Sequence, residues 1–512
     1  MSIGPKWPNS ERKLRFSQSG THLYIIHIAA EIAPIAKVGG LADVVAGLSK
    51  ELTAQGHAVE IIIPKYDCLD YSAVTDLHVI YPNLYSYYKG IWIRNTVWRC
   101  SLNDLSVLMI EPHNDTHFFG RGCYYDCPDN MERFTYFSRA VLEFLLKSNR
   151  HPDVLHSHDW STGLIPVLYH EIYKGLGLNI KKNIFTIHNL SHQGLSEGWI
   201  IDALGLSSSH LRHFDRLQDE TFPHLLNILK GAIVYADNCT TVSPSYAEEI
   251  QTVEGGCGLN RLLNFYSYKL VGILNGIDYS YWNPEIDPLI SHQYSPANKD
   301  LFFKNKALCK AHLKKRLNLM EGNKPLIGIV SRLVHQKGLD LIVQALHRTV
   351  DRGGQFILMG SSPDTPWTLE RFKHLQESML PTHKVHIELK HNESLAHQIF
   401  AGCDAFIIPS LFEPCGLTQQ ISLKYGTLPI ARRTGGLADT VFDIDTAPDQ
   451  KMSNGFTFDH PTIEGVNWGI DRALKTFINK NLLWRKLMLK AATLDLSWHI
   501  PASHYLQLYG DR

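Results

Sequence analysis

The sequence predicts an α/β protein built from two doubly wound parallel-sheet domains facing a deep cleft, and three observations carry that prediction. Its 512 residues are about three times the length of a common single domain, which calls for more than one core. From residue 22 to about 490, short apolar runs rich in β-branched residues alternate with longer stretches of helical periodicity. That rhythm breaks once, between Asp278 and Leu319, where Pro, Ser and Asn gather. Runs that are apolar on both faces and separated by helices read as parallel strands.

The elements follow in order. Residues 1–20 are polar, Ser-containing and mildly basic, and read as a flexible N-terminal tail, although a short organelle-targeting remnant would look similar. The first series of strands is expected at 23–30, 59–64, 105–110, 154–158, 183–188, 239–243 and 270–274. Helices fill the gaps; in the first, over 41–55, Leu41, Val44, Leu48 and Leu52 recur at helical spacing and Gly56 supplies the stop. A domain boundary is placed near residues 285–300, ahead of a basic helix from Leu301. The second series of strands is expected at 326–331, 355–359, 384–387, 405–409, 428–431 and 455–458. Ligands of open α/β sheets bind at the carboxyl ends of strands, so the loops after these strands should carry the chemistry.

Composition removes several function classes. Lys+Arg and Asp+Glu are 50 each, so the chain has no global attraction to a polyanion, which argues against nucleic acid or an acidic membrane surface as a partner. No apolar run reaches the roughly 18 residues of a membrane helix, and the first 20 residues lack the apolar stretch of a signal peptide. Nine cysteines without a CxxC pair, of which Cys123 and Cys127 are the nearest approach to a motif, fit a reducing compartment. The 27 histidines are scattered. Neither GxxxxGK[ST] nor a GxGxxG after the first strand is present, so neither a nucleoside triphosphatase nor a dinucleotide oxidoreductase is indicated.

What remains is an anion site of another kind. GGLAD occurs at Gly39–Asp43 and again at Gly435–Asp439, each time after an expected strand and at the start of a helix. Such a glycine pair lets backbone N–H groups and the positive helix end approach an anion, although two ordinary glycine turns would read the same way. Lys37 precedes the first pair as either a phosphate cation or a solvated loop lysine. Arg332 and Lys337 lie five apart where the first strand of the second half meets its helix, either as charge for a departing diphosphate or as a surface basic pair. Glu413 stands in PSLFEPCGLTQ, where Pro414 and Gly416 set a sharp turn; it would accept hydrogen bonds from sugar hydroxyls or serve a helix dipole. Cys415 beside it has no evident base and reads as packing or backbone. HSHDWSTG and FTIHNLSHQG bring Asp159, His188 and Asn189 towards the same cleft, and Asn275 and Asp278 follow by the same strand-then-loop logic. His156 and His158 have metal-ligand spacing with Asp159, but HEXXH is absent and structural histidines are the reading preferred.

These strings, KVGGLADVV, HSHDW, TIHNLSHQG, VSPSYAEEI, LNGID, SRLVHQKGLD, PSLFEPCGLTQ and RRTGGLADTV, resemble in order and spacing the glycogen and starch synthases, the retaining glucosyltransferases of the GT-B fold. The resemblance runs from about Tyr24 to the C-terminus. It implies an N-terminal acceptor-side domain over 21–290, a C-terminal nucleotide-side domain over 291–490 and a segment, 491–512, returning to the first. The implied reaction is transfer of glucose from ADP-glucose to the non-reducing end of an α-1,4-glucan or maltooligosaccharide with retained configuration, with ADP released. No metal or other cofactor is implied, because fixed cations stabilise the charge, and no protein nucleophile is implied, because the leaving phosphate can deprotonate the incoming hydroxyl.

Carried over by motif, Lys37 and the Gly39 and Gly40 backbone contact the donor phosphates, with Asp43 in the same loop, and Arg332 and Lys337 stabilise departing ADP. Asp159, His188 and Asn275 line the glucose pocket, with the His188 carbonyl near the reacting face, and Asn189 is a further substrate-binding residue. Glu413 with the backbone of Cys415, Gly416 and Leu417 holds sugar hydroxyls, beside the Thr434, Gly435 and Gly436 loop. Two positions depart from the common pattern: Val38 replaces a Thr, and His391 stands where an aromatic Tyr often stacks on the base. The resemblance places the protein in the cytoplasm, or the plastid stroma of a photosynthetic eukaryote. Two rivals share much of the pattern, another retaining GT-B transferase using UDP-glucose or a small acceptor, and a catalytically weak glucan-binding protein.

Overall fold

The computed structural model describes residues 22–510 apart from 126, 362–364, 448 and 450; the expected tail over 1–20 lies outside the described residues. The chain forms two compact units, one of Ile277–Ser497 and one running up to Gly276 and resuming at Trp498. The junction falls inside the LNGID string, some residues before the Pro- and Ser-rich stretch at 285–300 that the sequence suggested.

The N-terminal unit carries β1 (Tyr24–Ile28), β2 (Ala58–Pro64), β3 (Val74–Tyr88), β4 (Ile91–Leu102), β5 (Leu105–Pro112), β6 (Val154–His158), β7 (Lys182–Ile187), the short pair β8 (Leu195–Ser196) and β9 (Leu226–Asn227), then β10 (Asn238–Thr241) and β11 (Leu270–Gly272). Nine of these make one sheet in the order β11-β10-β7-β6-β1-β2-β5-β4-β3. From β11 to β5 every pairing is parallel, as the apolar runs require. The sheet is not parallel throughout, however: β3 and β4 form an antiparallel hairpin that extends it beyond β5. The hairpin closes through Lys89 and Gly90, both at positive φ (48° and 82°), a two-residue turn whose twist suits antiparallel strands. The last helix, His499–Gly510, lies against the Gly40–Ala54 helix, with Trp498, Ala502 and Tyr505 buried among Ile25, Val44 and Leu48.

The C-terminal unit carries β12 (Leu326–Val330), β13 (Gln355–Met359), β14 (Val385–Glu388), β15 (Ala405–Ile408), β16 (Leu428–Arg432) and β17 (Phe456–Phe458). They form one fully parallel sheet in the order β14-β13-β12-β15-β16-β17. Counted within the unit this is third, second, first, fourth, fifth, sixth, the dinucleotide-binding order, whose direction reverses between β12 and β15. The parallel strands of the N-terminal unit follow the same rule and reverse between β1 and β6. Each unit has its own apolar core around its sheet, centred on Ile327, Phe356 and Phe406 in one and on Ile26, Ile62 and Leu108 in the other. Among the described residues no helix is long and apolar enough to cross a membrane.

Candidate functional site

The reversal points are where loops part and leave room for a ligand, and the loops that follow the flanking strands carry Lys37 and Asp159 in one unit and Arg332, Lys337 and Glu413 in the other.

In the C-terminal unit the chain leaves β12 through Arg332, which is exposed and has no side-chain hydrogen bond or ion pair among the described residues. It then makes a single 3₁₀ turn, His335–Lys337, before the Leu339–Asp351 helix. The chain leaving β15 returns beside it. The Leu411 N–H donates to the Gln336 carbonyl at 2.8 Å, and the Gln336 amide donates to the Phe412 carbonyl at 3.1 Å. With the two backbones fixed, Lys337 Nζ meets Glu413 Oε2 at 2.6 Å, and the Ser410 hydroxyl donates to the same oxygen at 2.8 Å. Glu413 is only 6% exposed, so its charge needs these two donors. The structure therefore brings together a cation assigned to the diphosphate and a carboxylate assigned to the sugar, each orienting the other.

A third loop, after β16, closes on this turn. The Gly436 N–H donates to the Glu413 carbonyl at 3.1 Å. A Cβ at Gly436 would lie 2.0 Å from the Cys415 carbonyl oxygen, and one at Gly435, whose φ is +45°, would lie 2.1 Å from that of Glu413. Only glycine fits at either place. The Gln419 amide, behind the turn, donates to the Cys415 and Gly416 carbonyls at 3.0 and 2.7 Å. Cys415 is buried, Gly416 takes φ +70°, and Leu417 caps the Thr418–Lys424 helix. Thr434 caps the short Gly435–Thr440 helix. His391 stands apart: it is exposed beyond β14, at the sheet edge, with Nε2 2.8 Å from Glu393.

In the N-terminal unit the loop after β1 is organised by Glu31, which the sequence reading missed. Its carboxylate is 4% exposed; Oε2 accepts the Val38 and Gly39 N–H groups at 2.7 and 2.9 Å, and Oε1 accepts the Tyr125 hydroxyl at 2.6 Å. The Gly39 N–H expected to meet a phosphate is thus already donating, and Lys37 pairs with Asp43 at 2.9 Å. The two GGLAD strings are also not equivalent. The first follows the first strand of its sheet and has open space at Gly39; the second follows the fifth strand and is crowded at both glycines.

Across the reversal, the chain leaving β6 holds Asp159 at φ +57°. Its Oδ1 accepts the His188 N–H at 2.7 Å and the Asn189 N–H at 3.4 Å. Burial pushes the Asp159 carboxyl up to about 7, against the pull of those two donors. Burial also moves His188 down to about 3, so it is neutral at physiological pH. The Asn189 side chain turns back to the Ser191 N–H and hydroxyl, at 3.1 and 2.7 Å, and Asn275 is buried beyond β11.

Beneath Asp159 and His188 lie His27, His156 and His158, all fully buried, with one nitrogen of each within 4.8 Å of the others. That spacing suits a metal, but the nitrogens are otherwise engaged. His156 meets the hydroxyls of Tyr509 and Thr186 at 2.7 and 2.6 Å; His158 meets His27 and His188, each at 3.0 Å. Of the six ring nitrogens, His27 Nε2 has no hydrogen-bond partner among the described residues. A histidine in a wholly apolar strand, and a carboxylate opening an apolar loop, were the signals for His27 and Glu31.

Two family models match the chain: starch synthase catalytic domain over residues 24–265 and glycosyl transferases group 1 over residues 313–481. A glycogen synthase of Protochlamydia amoebophila is 49% identical over 496 residues, which cover 95% of this chain and 99% of that one. The probable starch synthase 4 of Arabidopsis thaliana is 45% identical over 501 residues, 97% of this chain and 48% of the longer plant protein. Among solved structures, the catalytic domain of starch synthase IV from Arabidopsis thaliana, bound to ADP and acarbose, superposes with a TM-score of 0.92 at 44% identity, covering 96% of this chain and 99% of that one.

Proposed function

The chain belongs to the glycogen and starch synthase family, and from that premise we propose which donor it uses and what each loop contributes. It is a hexosyltransferase of glycogen or starch biosynthesis with the GT-B fold. The donor in our reading is ADP-glucose and the acceptor the non-reducing end of an α-1,4-glucan or maltooligosaccharide; the plant relative solved with ADP and acarbose supports both.

The observation that carries the reading is the group at the C-terminal reversal: an exposed guanidinium at Arg332 on the same loop as Lys337, whose ammonium is aimed by Glu413, itself held by Ser410. A departing nucleoside diphosphate gathers negative charge in the transition state, and cations already in place stabilise it without reorganising. The C1–oxygen bond to the β-phosphate breaks as the acceptor O4 bonds to C1 from the same face. The O4 proton passes to the leaving phosphate oxygen, so configuration is retained without a protein nucleophile. This division of labour calls for no metal or cofactor, because Arg332 and Lys337 supply the charge. Glu413 and the Cys415 and Gly416 backbone hold glucose hydroxyls, with Leu417, Thr434, Gly435 and Gly436 shaping that loop. Asp159, His188, Asn189 and Asn275 serve the glucosyl ring, and Lys37 with Asp43, Gly39 and Gly40 forms the phosphate-facing loop of the N-terminal unit. His391, at the position where relatives often carry a base-stacking aromatic, is the candidate contact to the donor base. Nine free cysteines fit a cytoplasmic setting.

Arg332→Ala and Lys337→Ala are each expected to lower kcat about 10²- to 10³-fold with ADP-glucose and a defined maltooligosaccharide, the usual loss for one fixed electrostatic contact. Less than a threefold loss in both would remove this role. The same assay run with UDP-glucose decides the donor: equal or faster transfer from it overturns the ADP assignment.

A further inference from the structure

The imidazoles under the N-terminal site form a chain rather than a cage. His27 on β1 is paired in register with His156 on β6, and His158, two residues on, points to the same face of the sheet. Thr186 on β7 lies opposite His158, and His188 follows Thr186 by two. The register thus lines up His27, His158 and His188, joined from His27 Nδ1 to His158 Nε2 and from His158 Nδ1 to His188 Nε2, each at 3.0 Å. His156, with both nitrogens bonded to hydroxyls, stacks on His158 at 4.2 Å and fixes its plane.

Burial keeps all of these rings neutral, so each has one N–H and one lone pair. Two polarities are then possible. If His188 donates from Nε2, the chain ends with a proton on His27 Nε2, a fully buried donor with no hydrogen-bond partner among the described residues. If His27 donates from Nδ1, the chain ends with only a lone pair there, and orphaned buried N–H groups are the rarer outcome in folded proteins. The second polarity uses up the Nε2 lone pair of His188 and leaves its proton on Nδ1, the nitrogen without a partner among the described residues.

We propose that His27 and His158 are positioning residues that hold His188 in its Nδ1–H tautomer, so that it meets the glucosyl group as a hydrogen-bond donor and not as a base. The substrate contact rests on the function proposed above; the tautomer does not. The test is a two-bond ¹H–¹⁵N correlation spectrum of the full chain labelled with ¹⁵N-histidine, with His188 assigned by its loss in His188→Gln. Protonated Nδ1 and bare Nε2 are expected for His188; a proton on Nε2, or on both nitrogens at neutral pH, overturns the proposal. Kinetics add a second reading. His27→Phe keeps the bulk and removes the donor, whereas His27→Asn returns an N–H near the position of Nδ1. His27→Phe is expected to lower kcat about tenfold, the worth of one hydrogen bond, with KM within threefold, and His27→Asn to recover most of it. Equal kcat values in the two variants, whether normal or depressed, overturn the relay. A wild-type chain that transfers no glucose would refute the proposed function while leaving the tautomer to the spectrum.

Discussion

Burial sets the charge of the residues at the N-terminal site, and stability must follow. His27 and His188 are moved down to about 3, and His156 and His158 well below their ordinary value, because imidazolium cannot be solvated there. A base whose folded pKa lies below its unfolded one stabilises fully above about 6.5, and that stability is lost as pH falls towards 3. Asp159 works the other way: held near 7 when folded, it keeps its proton between 4 and 7 where the unfolded chain has lost it, so stability rises as pH falls through that window. Four histidines outweigh one carboxyl. Thermal midpoints of the full chain are expected to fall between pH 6.5 and 4, and His27→Phe to flatten that slope; a midpoint independent of pH would mean the rings are charged in the folded state. Lys337 poses the companion case. Its loss strands the Glu413 carboxylate, at the low end of the roughly 3–5 kcal/mol that breaking a buried pair costs, since the lysine keeps some solvent. Adding Glu413→Gln to Lys337→Ala should restore the melting temperature but not turnover; recovered turnover would show that the lysine only neutralises its partner.

At the level of elements, much was legible because buried parallel strands write themselves as apolar runs. Val154–His158 and Gln355–Met359 lie where the sequence put them. The hairpin of β3 and β4 was not read, since Pro82 and the register shifts near Thr75, Val79 and Tyr81 break the period of two, leaving only the Lys89–Gly90 turn as a clue. The loops tell a similar story. Arg332, Lys337 and Glu413 were visible as charges after strands, yet Ser410, Gln336 and Glu31 act through contacts that exist only once the loops are side by side. The two GGLAD copies differ in their surroundings for the same reason, since identical letters occupy different strand positions. The crowded copy makes the sharper prediction. Gly436→Ala must push the Cys415 carbonyl aside and with it the Glu413 turn, so donor affinity and thermal stability should both drop, whereas Gly39→Ala, with open space around it, should leave stability within about 0.5–1 kcal/mol. Equal effects at the two glycines would contradict this difference.

Over the whole molecule, the parallel strands of the two units reverse their order at the same place, and the candidate site residues of each unit lie on loops at that end of the strands. Each sheet reverses between its first and fourth parallel strands, and the loops flanking each reversal carry a lysine and a carboxyl group: Lys37 and the half-buried Asp159 in one, Lys337 and the buried Glu413 in the other. Strand order, not motif repetition, is what makes the halves alike. The reaction assigned to the protein depends most on the C-terminal reversal receiving the diphosphate. A crystal of the full chain grown with ADP tests that directly. The β-phosphate is expected within about 2.7–2.9 Å of Lys337 Nζ and of an Arg332 guanidinium nitrogen, the spacing of charge-assisted hydrogen bonds; a diphosphate bound elsewhere, out of reach of both side chains, would contradict it.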